Sequence, residues 1–168
     1  MKNDGYALIT GPSRGLGMAF ARALAQRHCN RVLVARSPEP LRAFADELRR
    51  ANPVSVVAIQ VDLSTAGACQ ILAEQLSRGG IPIELLVNNV GFGLRGEFRA
   101  NSLPRQLEML RLNNQAIVEL TYSLPSGNAG AGAERHHQHL LDCGLSAYSF
   151  CERLLCNQGV SDHVFTGP

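Results

Sequence analysis

Tyr6-Ala-Leu-Ile-Thr10-Gly11-Pro12-Ser13-Arg14-Gly15-Leu16-Gly17 is an apolar pentad that runs straight into a glycine-rich turn. Beyond it Phe20, Ala23 and Leu24 recur at helical spacing, with Gln26 and Arg27 on the other side. The reading is strand, tight turn, helix. Glycines at such a turn let backbone approach a phosphate, and the helix start adds free N–H groups and a positive dipole end. A plain glycine-rich turn between strand and helix is the alternative, since a lone glycine pattern is a weak signal.

Working outward, the same alternation repeats. Arg31-Val-Leu-Val-Ala35 reads as a second strand, and Pro38 to Arg50 as a helix with Leu41, Phe44, Ala45 and Leu48 on one stripe. Val54 to Gln60 reads as a third strand, Ala66 to Ser77 as a helix, Ile83 to Asn88 as a fourth strand, and Pro104 to Ser123 as a longer helix. Strands alternating with helices imply βαβ units and a parallel sheet. The strands are apolar runs rather than strict alternations, as burial on both faces requires. The expected fold is α/β, a doubly wound parallel sheet of the Rossmann type, truncated at its C-terminal side. Residues 1–124 form the nucleotide-binding part, and residues 125–168 an irregular tail outside that pattern.

Composition sets bounds. The chain has 168 residues, a formal charge of +2 and 45% hydrophobic residues, enough for one domain with a core. The charge is too small to call for a nucleic-acid partner. No apolar run approaches the roughly 20 residues of a bilayer span, and no signal peptide opens the chain, so a cytoplasmic protein with no membrane partner is expected. Five cysteines without a CxxC pair fit free thiols in a reducing compartment. Of 16 basic residues only Lys2 is a lysine.

The glycine spacing is G-x-x-x-G-x-G, and three further motifs follow in register. These are Asp62-Leu63 past the third strand, Asn88-Asn89-Val90-Gly91 at the end of the fourth, and Asn113 within Leu112-Asn113-Asn114-Gln115-Ala116. Together they resemble the short-chain dehydrogenase/reductase family over residues 6–124, with Val90 where that family usually has Ala. The resemblance implies hydride transfer between a nicotinamide cofactor and a small-molecule carbonyl or secondary alcohol. It implies that Gly11, Ser13, Arg14, Gly15, Leu16 and Gly17 hold the pyrophosphate. Asp62 and Leu63 flank the adenine, Asn88, Asn89, Val90 and Gly91 line the cofactor floor, and Asn113 supports a relay water. It also implies a homo-oligomer, less so for a chain without the family's dimer helix.

The cofactor expectation is physical. An acid about 20 positions past the glycines binds a ribose 2′-OH, and an Arg there accepts a 2′-phosphate. The second strand ends in Arg36 and Ser37 with no acid, and Arg14 sits in the glycine loop. NADP(H) is expected over NAD(H), with paired arginines clamping a phosphate.

The proton-donating machinery that the resemblance calls for is missing. A Tyr four residues before a Lys, with a Ser about a dozen positions upstream, tunes an acid for the developing alkoxide. Here Tyr148 is followed by Glu152, no Lys lies beyond Lys2, and Ser146 stands too near Tyr148. Whether the chain is an enzyme therefore stays open, and as written it is expected to be inactive. From about Pro125 the character changes to a Ser126–Ala133 linker followed by His136-His-Gln-His139. Read one nucleotide out of frame, the His run can encode Ile-Ile-Asn-Ile, Leu140 to Asp142 two serines, and Leu154 to Gly159 Tyr-Cys-Ala-Thr-Lys. The shifted Ser and Tyr fall about 13 positions apart. A frameshifted gene product and a catalytically dead nucleotide-binding module are the alternatives to an active reductase. His136, His137, His139 and Cys143 match no standard zinc spacing, and no metal site is expected.

Overall fold

Four short apolar segments build the sheet. In the computed structural model, which describes residues 5–124, they are β1 (Tyr6–Thr10), β2 (Asn30–Ala35), β3 (Val56–Gln60) and β4 (Ile83–Val87). Their order is β3-β2-β1-β4, all parallel, with Tyr6 opposite Asn30 and Arg31 opposite Val56. The helices α1 (Leu16–Gln26), α2 (Pro38–Ala51) and α3 (Ala68–Arg78) connect them, and α4 (Leu103–Leu110) and α5 (Ala116–Ser123) follow β4. The expected Rossmann-type sheet is therefore present. The linker at 126–133, the His136–Cys143 group, Ser146, Tyr148 and the shifted frame lie outside the described residues.

Successive strand residues point to opposite faces, and both faces are covered. Leu8, Val32, Val34 and Leu86 pack with Leu72, Leu76, Leu112 and Leu120 in one core. Ile9, Leu33 and Val87 pack with Ala21, Leu41, Phe44 and Leu48 in the other. Full burial of such a side chain is worth about 1.5–3 kcal/mol, which is why these strands tolerate no polar alternation. On α2 the buried residues are Leu41, Phe44, Ala45 and Leu48, the stripe read from the sequence.

Two expectations need correction. On α1 the buried residues are Gly17, Ala21 and Ala25, while Ala23 is exposed and Phe20 and Leu24 are only partly buried. Small residues at i, i+4 and i+8 let this helix lie close on the sheet. The long helix expected from Pro104 to Ser123 is broken by a π-helical turn, Arg111–Gln115, between α4 and α5. Such single turns insert one residue and shift the facing of everything beyond them.

Arg31 is a fully buried cation at the start of β2. Its guanidinium donates to the Ala21 carbonyl at 2.9 Å and to the Cys29 carbonyl. Burial lowers its pKa to about 10, with Cys29 acting in the opposite direction. It stays charged at neutral pH and joins the middle of α1, and the loop after it, to β2. Among the described residues no helix is long and apolar enough to cross a membrane.

Candidate functional site

The C-terminal tips of the strands meet in a network centred on Thr10, which is fully buried. Its hydroxyl donates to the Val87 carbonyl at 3.3 Å and accepts from the amides of Asn89 at 2.9 Å and Val90 at 3.1 Å. The Asn89 side chain donates back to the carbonyls of Thr10 at 3.1 Å and Gly11 at 3.0 Å. The Gly11 amide donates to the Val34 carbonyl, and the Val61 amide to the Ala35 carbonyl. All four strand tips are thus tied together, and the loops leaving them enclose one cleft.

The cleft has a volume of about 530 Å³. Gly11, Ser13, Arg14 and Leu16 form its glycine-loop side, Ala35 and Arg36 the tip of β2, and Asp62 and Leu63 the segment after β3. Asn89, Val90, Gly91 and Phe92 form the side after β4, and Arg105 and Leu112 close it from the helical side. Ten of the residues expected at a cofactor site therefore line one cavity. Gly15, Gly17, Asn88 and Asn113 do not line it.

Those four have other positions. Gly15 caps the start of α1 at φ +59°, a conformation that favours glycine, and a Cβ there would meet nothing within 4 Å. Gly17 packs underneath, where a Cβ would fall 2.5 Å from Asn89 Nδ2 and 2.7 Å from the Gly11 carbonyl oxygen. Asn88 is 3% exposed, and its Nδ2 has no hydrogen-bond partner among the described residues. Asn113 sits in the π-helical turn and clamps the loop after β4. Its Oδ1 accepts from the Phe92 amide at 3.1 Å and its Nδ2 donates to the Phe92 carbonyl at 2.9 Å.

The electrostatics favour an anion. The α1 start carries no side-chain cap and no acid in its first turn, so its amides remain available. Arg14 and Arg36 bring two cations to the same cavity. Asp62 is the opposing charge. The Ser64 hydroxyl, which donates to its carboxylate at 2.7 Å, holds its pKa below the ordinary value, helped by the Ser64 amide and the Arg36 charge and resisted by burial. Asp62 is thus ionised at neutral pH.

Phe92, Arg105 and Leu112 also line the cleft and are not among the site residues that the sequence singles out. Leu112 adjoins Asn113 in a quoted motif, and Arg105 lies about two turns upstream of it on the same helical segment. That spacing was the available signal. The Arg105 guanidinium lies over the Phe92 ring, 4.1 Å from its centroid, and pairs with Glu108 at 2.6 Å.

The sequence pattern of the short chain dehydrogenase family matches residues 5–130. Human 17-beta-hydroxysteroid dehydrogenase type 3 is 34% identical over 118 residues, covering 69% of this chain and 37% of the human protein. The ketoacyl reductase HetN of Nostoc sp. is also 34% identical, over 114 residues, 68% of this chain and 39% of its own. Among solved structures, the short-chain dehydrogenase from Sphingobium yanoikuyae in complex with NADPH superposes with a TM-score of 0.66. It is 32% identical, over 71% of this chain and 47% of that one. The chain spans less than half the length of each of these relatives. The parallel sheet, the glycine turn at the tip of β1 and the matched sequence agree: the chain belongs to the short-chain dehydrogenase family.

Proposed function

We propose that residues 5–124 bind NADP(H) as the nucleotide half of a reductase that moves hydride between the cofactor and a small carbonyl or secondary alcohol. The observation that carries this reading is the presence of Arg14 and Arg36 in the same cleft as the uncapped start of α1. The fit is good at the glycines. The open space beside Gly15, which a Cβ would enter, admits a phosphate close to the backbone. Ser13 and the first amides of α1 would hold the pyrophosphate, with Gly11, Gly15, Leu16 and Gly17 shaping the cradle. Arg36 would take the 2′-phosphate, and Arg14 would approach it from the loop. Asp62 and Leu63 would flank the adenine, and Asn88, Asn89, Val90 and Gly91 would support the floor. Asn113 would act by fixing that floor through Phe92, besides the relay water it is expected to hold. The solved relatives named as NADPH or NADP complexes support the same choice of cofactor.

The bound cofactor would supply the hydride; this chain's residues bind it, orient it and exclude water. The 168 residues contain no Tyr-x-x-x-Lys, so no side chain on that pattern delivers the proton that a developing alkoxide needs. We therefore expect NADPH binding without turnover. Titration with NADPH and NADH tests the first part: tighter NADPH binding, lost on Arg36→Ala, supports it, and equal or tighter NADH binding overturns it. Reduction of any carbonyl by the purified chain above a blank overturns the second.

The tail favours a second reading. Its codons can encode Ser and Tyr-x-x-x-Lys one nucleotide out of frame, which points to a frameshift near codons 124–126 of a complete reductase gene. Sequencing across codons 118–168 and beyond tests it. An open shifted frame with that motif supports the frameshift. Early stops in that frame leave a nucleotide-binding module as the better account.

A further inference from the structure

The cleft has a wall of which the cofactor assignment uses only Leu63 and Val90, leaving Phe92, Arg105 and Leu112 without a part in binding. At its apolar end Leu63, Val90, Phe92 and Leu112 come together. Arg105 lies across the Phe92 ring at the rim. Two restraints fix this pair. Asn113 holds the Phe92 backbone through both its amide and its carbonyl. Glu108 holds the Arg105 guanidinium through Nη1 alone. A guanidinium is flat, stacks on aromatic faces, and has five donors in its plane. One planar face here is on Phe92 and one donor is on Glu108, which leaves the other face and the remaining donors for a ligand.

An isolated arginine at a cleft rim would be a poor site, because holding its long side chain costs rotamer entropy. Arg105 is already held. An apolar slot ending in a held, flat cation fits a heteroaromatic ring better than a phosphate, since the ring offers a face to stack and acceptor nitrogens at its edge. Asp62, ionised and lining the same cleft, complements such a ring by accepting from an exocyclic amine.

We infer that Arg105 is a base-recognition residue, forming the outer wall against which the purine of the bound nucleotide lies. This rests on the reading of the cleft as a dinucleotide site. It separates Arg105 from Arg14 and Arg36, which act on phosphate. The test is binding of NADPH, NADH and 5′-AMP to the full chain by calorimetry, for wild type, Arg105→Ala, Arg105→Lys and Arg36→Ala, with circular dichroism to check folding. Arg105→Ala should weaken all three nucleotides by the same factor, roughly 2- to 30-fold for a lost cation–π contact. Arg105→Lys should fail to restore affinity, because a lysine keeps the charge and loses the plane. Phe92→Leu should reproduce the loss by removing the platform. Arg36→Ala should weaken NADPH alone. A loss on Arg105→Ala confined to NADPH, full rescue by lysine, or no change in any affinity overturns the inference while leaving the cofactor reading intact. Failure of the wild-type chain to bind any of the three removes the cofactor reading itself, and this inference with it.

Discussion

Replacing Gly17 by alanine tests whether the strand tips are locked as described. A Cβ at Gly17 would lie 2.5 Å from Asn89 Nδ2, 2.7 Å from the Gly11 carbonyl oxygen and 3.1 Å from Pro12 Cα. Two of these three are backbone atoms and cannot swing away. The third belongs to an amide bound to the carbonyls of Thr10 and Gly11. Displacing that amide loses two hydrogen bonds, each worth about 1 kcal/mol net. The residual backbone overlap adds about 1–3 kcal/mol. Against this, alanine at a helix position gains about 1 kcal/mol over glycine. The net expectation is a destabilisation of about 2–4 kcal/mol, a large share of the roughly 5–15 kcal/mol that holds a domain together. Urea unfolding followed by far-ultraviolet circular dichroism measures it directly. The decisive control is the same substitution in an Asn89→Ala background, where the nearest obstacle and its bonds are already gone. There the penalty should fall by at least about 1 kcal/mol, the coupling expected of touching residues. A variant within about 0.5 kcal/mol of wild type, or an equal penalty in both backgrounds, would refute the lock.

Thr10→Val keeps the shape but removes the acceptor for two amides, those of Asn89 and Val90, at about 1–3 kcal/mol each when left unsatisfied. Thr10→Ser should keep most of the stability, and an unchanged urea midpoint for the valine variant would contradict the network. Cys69 is fully buried, and its thiol is pushed up to about 12, first by burial and then by Glu119. It should resist iodoacetamide in the folded chain and react after urea, while the partly exposed Cys29 reacts in both, as peptide mapping would read. Because the folded thiol keeps its proton longer than the unfolded one, its contribution is complete below the ordinary value of 9.0 and is lost as pH rises from there toward about 12. Cys69→Ala should flatten that part of the stability–pH curve, and an unaltered alkaline limb would argue against it.

The strands were legible because burial on both faces leaves apolar runs with little else to read. The same burial hid the inner face of α1. There the selecting force is closeness to the sheet, so Gly17, Ala21 and Ala25 face inward while the larger Phe20 lies at the margin. The π-helical turn was illegible for a different reason. Leu112 and Ala116 are both buried, which a continuous α-helix also allows. Only the backbone of Arg111–Gln115 shows the wider turn, which carries Asn113 and its two bonds to Phe92. Arg105 reads in sequence as an ordinary solvated helix charge; its role depends on a loop twelve to fourteen residues upstream that the helix happens to meet.

The residues around the cleft therefore divide by what they touch. Thr10, Gly17 and Asn89 spend their polar groups or their lack of a side chain on one another, so they set the spacing of β1 and β4 before any ligand arrives. Arg14 and Arg36 lie outside that frame and line the cleft with charge, while Arg105 lines it from its place on Phe92 and Glu108. Loss of the first group removes the site by removing the fold that shapes it. Loss of Arg14 or Arg36 leaves the two cores, of which neither is a part, and changes only what the cleft holds. A cofactor-binding defect accompanied by a shift in the unfolding midpoint therefore points to the frame, and one without such a shift points to Arg14 or Arg36.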